Sequence, residues 1–186
     1  MSASTRDSIV KAAAQLLDEG GPSAVTFRAV GARVGLSHNA AFKLFRDKES
    51  LLAAIATEEL RRQATPPRPT QNRAERISEL RRRLVGYVRW ARRYPERFKL
   101  TYGRWAHDYP GLGEAATTAR GQLVDLVRQC QADATLPQGE PERVAAMLLS
   151  IAHGASSLAL NGHLSREGKG KASPEDIIDD FLALIG

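Results

Sequence analysis

Between residues 26 and 48 the sequence reads TFRAVGARVGLSHNAAFKLFRDK. It sets donor- and acceptor-bearing side chains on a framework that is otherwise apolar. His38, Asn39, Ala40 and Lys43 fall on one short stretch. Asparagine can pair bidentately with an adenine edge, lysine with a guanine edge, and an alanine methyl can meet a thymine methyl. Thr26 and Lys48 stand where helices begin, which is where phosphate contacts set register without reading sequence. The chemistry available here is recognition of a double-stranded DNA groove. A second group, Trp90, Tyr94, Phe98, Tyr102, Trp105, His107, His153, Ser156 and Ser157, mixes aromatic walls with a few polar anchors, the usual makeup of a small-molecule pocket. The four histidines lie far apart, without paired metal-ligand spacing, and no glycine-rich phosphate loop occurs. A Ser/His/Asp set can be assembled from spare residues of almost any chain, so none is assigned. No catalytic residue, metal or cofactor is therefore expected.

The reading stretch needs two short helices and a turn to position it. Ala29, Val30, Ala32 and Val34 give the first helix an apolar side, and Gly35 ends it where a positive φ is free of steric cost. Ser37 caps a second helix over 37–45. That helix is too short to stand alone, so Ala41, Leu44 and Phe45 must anchor it. The pattern is a helix-turn-helix. Before it, a helix over 6–18 carries Ile9, Ala13, Leu16 and Leu17 on one side, with Ser4 and Asp7 spaced for a capping box and Gly20-Gly21-Pro22 as a stop. After it, Asp47 caps a helix bearing Leu51, Leu52, Ile55, Ala56 and Leu60, and Pro66-Pro67-Arg68-Pro69 closes the front module.

Beyond the prolines, Ile77, Leu80, Leu84, Val88 and Ala91 recur at helical spacing over 72–93. Pro95 opens the next helix, and another spans 114–132. The segment 142–164 has almost no side built for water, so a partner is expected to cover what its own domain does not. Ser173, Pro174 and Asp176 start a last helix with a broad apolar face. Leu148, Ala152, Ala155 and Ala159 of the first helix, with Ile178, Phe181, Leu182 and Ile185 of the second, are the candidate dimer interface. Two such helices from each of two subunits make a four-helix contact. The expected fold is all-α, with about nine helices: a helix-turn-helix domain over 1–48, a connecting helix over 49–66, and a ligand-binding and dimerisation domain over 67–186.

The bulk numbers fit a protein that meets a polyanion. The chain has 186 residues and a formal net charge of +6. Lys and Arg outnumber Asp and Glu nine to seven in residues 1–65 and twelve to three in 66–105, and are outnumbered eleven to six in 106–186. No apolar run approaches the ~18 residues needed to span a bilayer, and no signal-peptide pattern opens the chain. The single cysteine, Cys130, excludes an intrachain disulfide, fits a reducing cytoplasm, and reads as a small buried hydrophobe.

Residues 6–60 resemble the DNA-binding domain of the tetracycline-repressor-like (TetR/AcrR) family of transcriptional regulators. The resemblance rests on Glu19-Gly20, Thr26, Val30, Ala32, Val34, Gly35-Leu36-Ser37, the aromatic Phe42, Phe45, Lys48-Glu49 and Leu51-Leu52 in register. The later part is similar to the family subtype named for a Trp-His-Gly motif. It offers Ala152-His153-Gly154, Leu158, Asn161-Gly162-His163-Leu164, Tyr94-Pro95 and Tyr102-Gly103, with Ala152 in place of the tryptophan. The resemblance implies a homodimer reading successive major grooves of a pseudo-palindromic operator, most commonly as a repressor, and an unidentified small-molecule effector. It places DNA contacts at Thr26, Arg28, Ser37, His38, Asn39, Ala40, Phe42, Lys43 and Lys48. Two positions depart from the pattern: a tyrosine is frequent where Phe42 stands, and a histidine is common where Leu44 stands. Each removes a polar contact, which Arg61, Arg62, Arg68 and Arg73 could replace. The rival reading is a helical homodimer that binds a small molecule or a protein and has weak or lost DNA binding.

Overall fold

A computed structural model describes residues 4–36 and 43–185, and among them it contains eight α-helices and no strand. In chain order these are α1 (Thr5–Ala24), α2 (Phe27–Val34), α3 (Lys48–Gln63), α4 (Arg73–Arg93), α5 (Pro95–Thr101), α6 (Pro110–Ala132), α7 (Pro141–Leu160) and α8 (Pro174–Ile185). The fold is all-α, as expected. The helix expected over 37–45 lies mostly outside the described residues. The chain divides into two compact units, each built from two segments. One is Met1–Gln63 with Tyr94–Thr117, and the other is Ala64–Arg93 with Thr118–Gly186.

In the first unit, local signals set the helix ends. Ser4 Oγ accepts from the Asp7 amide and the Asp7 carboxylate accepts from the Ser4 amide, both at 3.2 Å, completing the capping box. Gly20 and Gly21 leave helical geometry inside α1. Gly21 takes φ 67°, ψ −169°, which a side chain would resist, and Pro22 starts a final turn. Thr26 caps α2 by accepting from the Ala29 amide at 3.1 Å, and Gly35 ends it in the left-handed region. Asp47 and Ser50 cap α3 reciprocally, the serine hydroxyl standing where a longer acid is usual. Ile9, Leu17, Val25, Val30, Phe45, Leu51 and Ile55 form the core these helices share.

The segment Tyr94–Thr117 packs with these helices in the first unit. An ion cluster accounts for this. The Arg97 guanidinium donates to Asp18 of α1 (2.9 and 2.6 Å) and to Glu59 of α3 (2.9 Å). Arg97 and Glu59 are both buried, and a buried charge is tolerable only when paired. Tyr102 donates its hydroxyl to Gln63, Glu49 accepts from the Ala106 amide, and Trp105 packs on the core.

In the second unit, α4, α7, α8 and the later part of α6 bury Leu80, Leu84, Val88, Val127, Cys130, Leu148, Ala152, Ile178 and Leu182 together. Burial pushes the Cys130 thiol up to about 11, so it packs as a neutral hydrophobe. Ser173 and Asp176 form the expected capping box of α8, and Arg166 grips the same carboxylate with two bonds. Arg81–Asp179 and Arg92–Glu175 pairs fasten α8 to α4.

One expectation needs correction. α7 does have the length and composition of a membrane span. Glu142 and Arg143 stand in its first turn, and beyond them its only polar residues are small serines and one histidine. One face of α7 lies in the core of the second unit, while Met147 and Leu158 on the other are 57% and 50% exposed.

Candidate nucleic-acid interface

Of the nine expected DNA contacts, Ser37, His38, Asn39, Ala40 and Phe42 lie outside the described residues. The other four are Thr26, Arg28, Lys43 and Lys48. Thr26 and Arg28 are exposed at the start of α2 because Phe27 and Val30 turn inward. Thr26 Oγ1 spends an acceptor position on its own helix, which leaves its O–H as a donor for a phosphate oxygen. Lys43 and Lys48 are exposed on either side of buried Phe45. Lys48 opens α3, where the end of the helix dipole also favours an anion. Among the described residues Arg28, Lys43 and Lys48 have no carboxylate within ion-pair distance.

Other cations nearby are neutralised internally. Arg33 makes a two-bond pair with Glu19 (2.7 and 2.8 Å), which holds that carboxyl below its usual range through the hydrogen bond first. Arg46 pairs with Asp47, whose carboxyl is lowered chiefly by the Ser50 amide and then by Arg46. Arg61 and Arg62 pair with Glu58 and Glu59 one turn earlier, and Arg68 and Arg73 belong to the second unit. Leu44 is 44% exposed and offers no polar atom. A cation that the sequence did not single out, Arg6, stands over the Phe45 ring at 5.1 Å. The contact joins residues 39 positions apart, and no local pattern announces it.

The nine candidate pocket residues fall into groups in separate units. In the first, Arg97 covers the Tyr94 ring at 4.5 Å, Phe98 is buried beside Tyr102, and Trp105 meets Tyr109 edge-on. His107 is exposed and stacks on Tyr109. In the second, Trp90 and His153 both adjoin Tyr87, whose hydroxyl lies 2.9 Å from His153 Nδ1. Burial lowers the His153 pKa, so a neutral ring can accept the tyrosine O–H at that nitrogen. Sequence reasoning missed Tyr87, although its place one turn after Leu84 on the apolar side of α4 was visible. Ser156 is enclosed in the protein and donates to the Ala152 carbonyl at 2.7 Å. Ser157 is half-buried. Among the described residues no three His, Cys, Asp or Glu side chains cluster as metal ligands would.

The candidate dimer residues are also redistributed. Leu148, Ala152, Ile178 and Leu182 belong to the second unit's own core, and Ala155 is buried too. Each of these five is enclosed within its own chain. Ala159, Phe181 and Ile185 are half-buried. On α7, Met147 and Leu158 are exposed while Ile151 between them packs against the core of the second unit. On α8, Leu184 is 84% exposed, Ile177 is half-buried and Phe181 packs against that core.

Two family models match this chain. The one described as bacterial regulatory proteins, tetR family, matches residues 9–55. The one described as tetracyclin repressor-like, C-terminal domain, matches residues 80–181. The finer likeness to the Trp-His-Gly subtype is not among these matches. No curated protein matches in sequence. Three solved structures share the fold. A protein of unknown function from Rhodococcus sp. RHA1 superposes with a TM-score of 0.79 at 24% identity, covering 99% of this chain and 96% of its own. A putative transcriptional regulator of the TetR family from Vibrio parahaemolyticus gives 0.69 at 16% identity, covering 98% of each chain. A TetR variant from Acinetobacter baumannii AYE, in complex with minocycline, gives 0.65 at 16% identity, covering 97% of this chain and 96% of its own.

Proposed function

The chain belongs to the tetracycline-repressor (TetR) family of bacterial transcriptional regulators, and on that premise we propose that it is a homodimeric repressor that binds a pseudo-palindromic operator and answers to a small-molecule effector. The observation carrying this reading is the family match over 9–55 on a framework whose Thr26, Gly35 and Asp47 caps hold both flanks of the reading stretch. Thr26, Arg28, Lys43 and Lys48 are assigned to DNA. Ser37, His38, Asn39, Ala40 and Phe42 keep that assignment from the sequence. Lys43 and Asn39 carry base choice, and Thr26 and Lys48 carry register.

The outward stripes of α7 and α8 support the dimer. Met147, Ile151, Gly154 and Leu158 recur at four, three and four residues, and Ile177, Phe181 and Leu184 at four and three. Exposed Met147, Leu158 and Leu184, continued by half-buried Ile151, Ile177 and Phe181, give two packed helices apolar rows that suit a two-fold four-helix contact. Covering them with a second copy also accounts for the composition of α7 without a membrane, and fits a cytoplasmic protein. For the effector, the Tyr87–Trp90–His153 group offers two rings and a neutral imidazole beside the core of the second unit. The minocycline complex of the Acinetobacter neighbour supports a small organic molecule as the class.

Selection of bound sequences from random duplex DNA by the full chain tests the reading. Enrichment of an inverted repeat is the expected outcome. Recovery of unselected sequence would favour the rival interaction protein, to which exposed, apolar Leu44 lends its support.

A further inference from the structure

The first unit contains a cavity of about 370 Å³ that touches none of the candidate pocket residues. Its apolar lining is Ala53 and Ala54 of α3, Phe45, Leu44 and Leu112. Around these stand three guanidinium groups, those of Arg6, Arg46 and Arg61, and no carboxylate among the described residues that line it. Arg46 and Arg61 each commit one nitrogen to a neighbouring acid, which leaves further N–H donors in each planar fork. Arg6 has no ion pair among the described residues, and its charge lies over the Phe45 ring that lines the same space. Tyr109 completes the lining. Its hydroxyl oxygen is buried and makes no hydrogen bond of normal geometry, with Glu49 and Arg46 close beside it. Burial and then the nearby charge of Glu49 push that phenol up, so it stays a donor.

We propose that this cavity is a binding site for a small organic anion, an acid group with an apolar body, held by Arg6, Arg61 and the Tyr109 hydroxyl over a floor of Ala53 and Ala54. The volume lies within the range of small-molecule sites. The division of labour follows from the lining: the body displaces water from the alanine floor, and the acid meets guanidinium forks that are matched to planar anions. A phosphate of the DNA backbone could meet the arginine rim but would leave the apolar floor unfilled, so a free amphipathic acid is the better occupant. Leu44, Phe45 and Arg46 line the cavity and belong to the reading stretch, next to Lys43 and Lys48, and none of Tyr87, Trp90 and His153 lines it. It requires no operator and does not depend on the repressor reading.

The chain has two tryptophans, and Trp105 lies edge-on to Tyr109 at 5.8 Å. In the full-length Trp90→Phe protein the remaining tryptophan emission comes from Trp105, the neighbour of the cavity-lining Tyr109. Octanoate, below its micellar concentration, is expected to shift that emission saturably, and 1-octanol is expected to bind about tenfold more weakly or worse. An Arg6→Gln/Arg61→Gln variant should lose roughly tenfold in octanoate affinity while its response to octanol stays unchanged. Ala54→Leu, which fills the floor without altering charge, should weaken both ligands and serves if the double variant fails to fold. A non-saturating response, equal affinity for octanoate and octanol, or octanoate binding that survives both variants overturns the proposal. Because the measurement contains no DNA, its failure is distinguishable from failure of operator binding.

Discussion

Glu79 is 4% exposed, yet it accepts two bonds from Arg82, one from Arg83 and one from the Arg68 amide. Burial alone would raise its pKa, but the Arg82, Arg68 and Arg83 donors outweigh it and bring the carboxyl down to about 2. Arg83 also donates to the Thr65 carbonyl, so the proline-rich run 66–69 is pinned to α4 at both ends by one carboxylate and its neighbours. Above the ordinary value of 4.5, Glu79 is ionised folded or unfolded and the stabilisation is complete. As pH falls from 4.5 toward 2 the unfolded chain takes the proton first, and up to about 3 kcal/mol is lost. His153 acts in a different window. Burial lowers its pKa below 6.5, so the unfolded chain gains a proton first as pH falls through 6.5, and stability declines there also. Urea denaturation at pH 7.5, 5.5 and 3.5 is expected to show both steps. His153→Gln should flatten the change between 7.5 and 5.5, and Glu79→Gln should lower stability at 7.5 while flattening the change between 5.5 and 3.5. A wild-type slope between 7.5 and 5.5 that persists in His153→Gln would assign that step to another group.

At the scale of elements, the caps and the apolar faces of α1, α3 and α4 were readable in the sequence, and the face of α7 was not. Ser4 with Asp7, Thr26, Gly35, Asp47 with Ser50, and Ser173 with Asp176 act within one turn, so the information sits in four consecutive residues. The phase of α7 is another matter. A helix apolar nearly all round has no moment to say which side meets its own core. The sequence accordingly placed Leu148 and Ala152 outward, when α4 and α8 already enclose them. The outward row can be checked directly. Leu158→Glu with Leu184→Glu should leave a folded chain, since both positions are half exposed or more. It should weaken self-association roughly a hundredfold or more, because two charges per chain would be buried without partners. Leu148→Glu, by contrast, puts a carboxylate into the core of the second unit and should unfold it. Sedimentation velocity beside circular dichroism separates these outcomes, and a folded, undiminished dimer for the Leu158/Leu184 variant would move the interface elsewhere. The place of Tyr94–Thr117 was equally hidden, because Arg97 finds Asp18 and Glu59 across separations of 79 and 38 residues.

For the whole molecule, reading and assembly become one quantity. Few unpaired cations surround the reading stretch: Arg28, Lys43 and Lys48 are available, whereas Arg33, Arg46, Arg61 and Arg62 are engaged with carboxylates of their own unit. The direct phosphate contacts that these cations can offer from one chain are therefore few. A two-fold dimer doubles every such contact. Each phosphate neutralised on duplex DNA steepens the dependence of log K on log salt by about 0.9, so removing one lysine from a dimer removes two contacts. Lys48→Ala is expected to reduce the slope by about 1.8 on the selected operator while leaving the ranking of operator variants unchanged, as suits a residue that sets register. Lys43→Ala should instead flatten the ranking, with the largest change at a guanine position. A slope reduction near 0.9 for Lys48→Ala would indicate a single reading head on the DNA, and no reduction would remove Lys48 from the interface. Fluorescence anisotropy over a salt series, with the Leu158→Glu/Leu184→Glu chain alongside, ties the two scales together. If dimerisation supplies the second head, that chain should lose about half of the slope of the wild type along with its affinity.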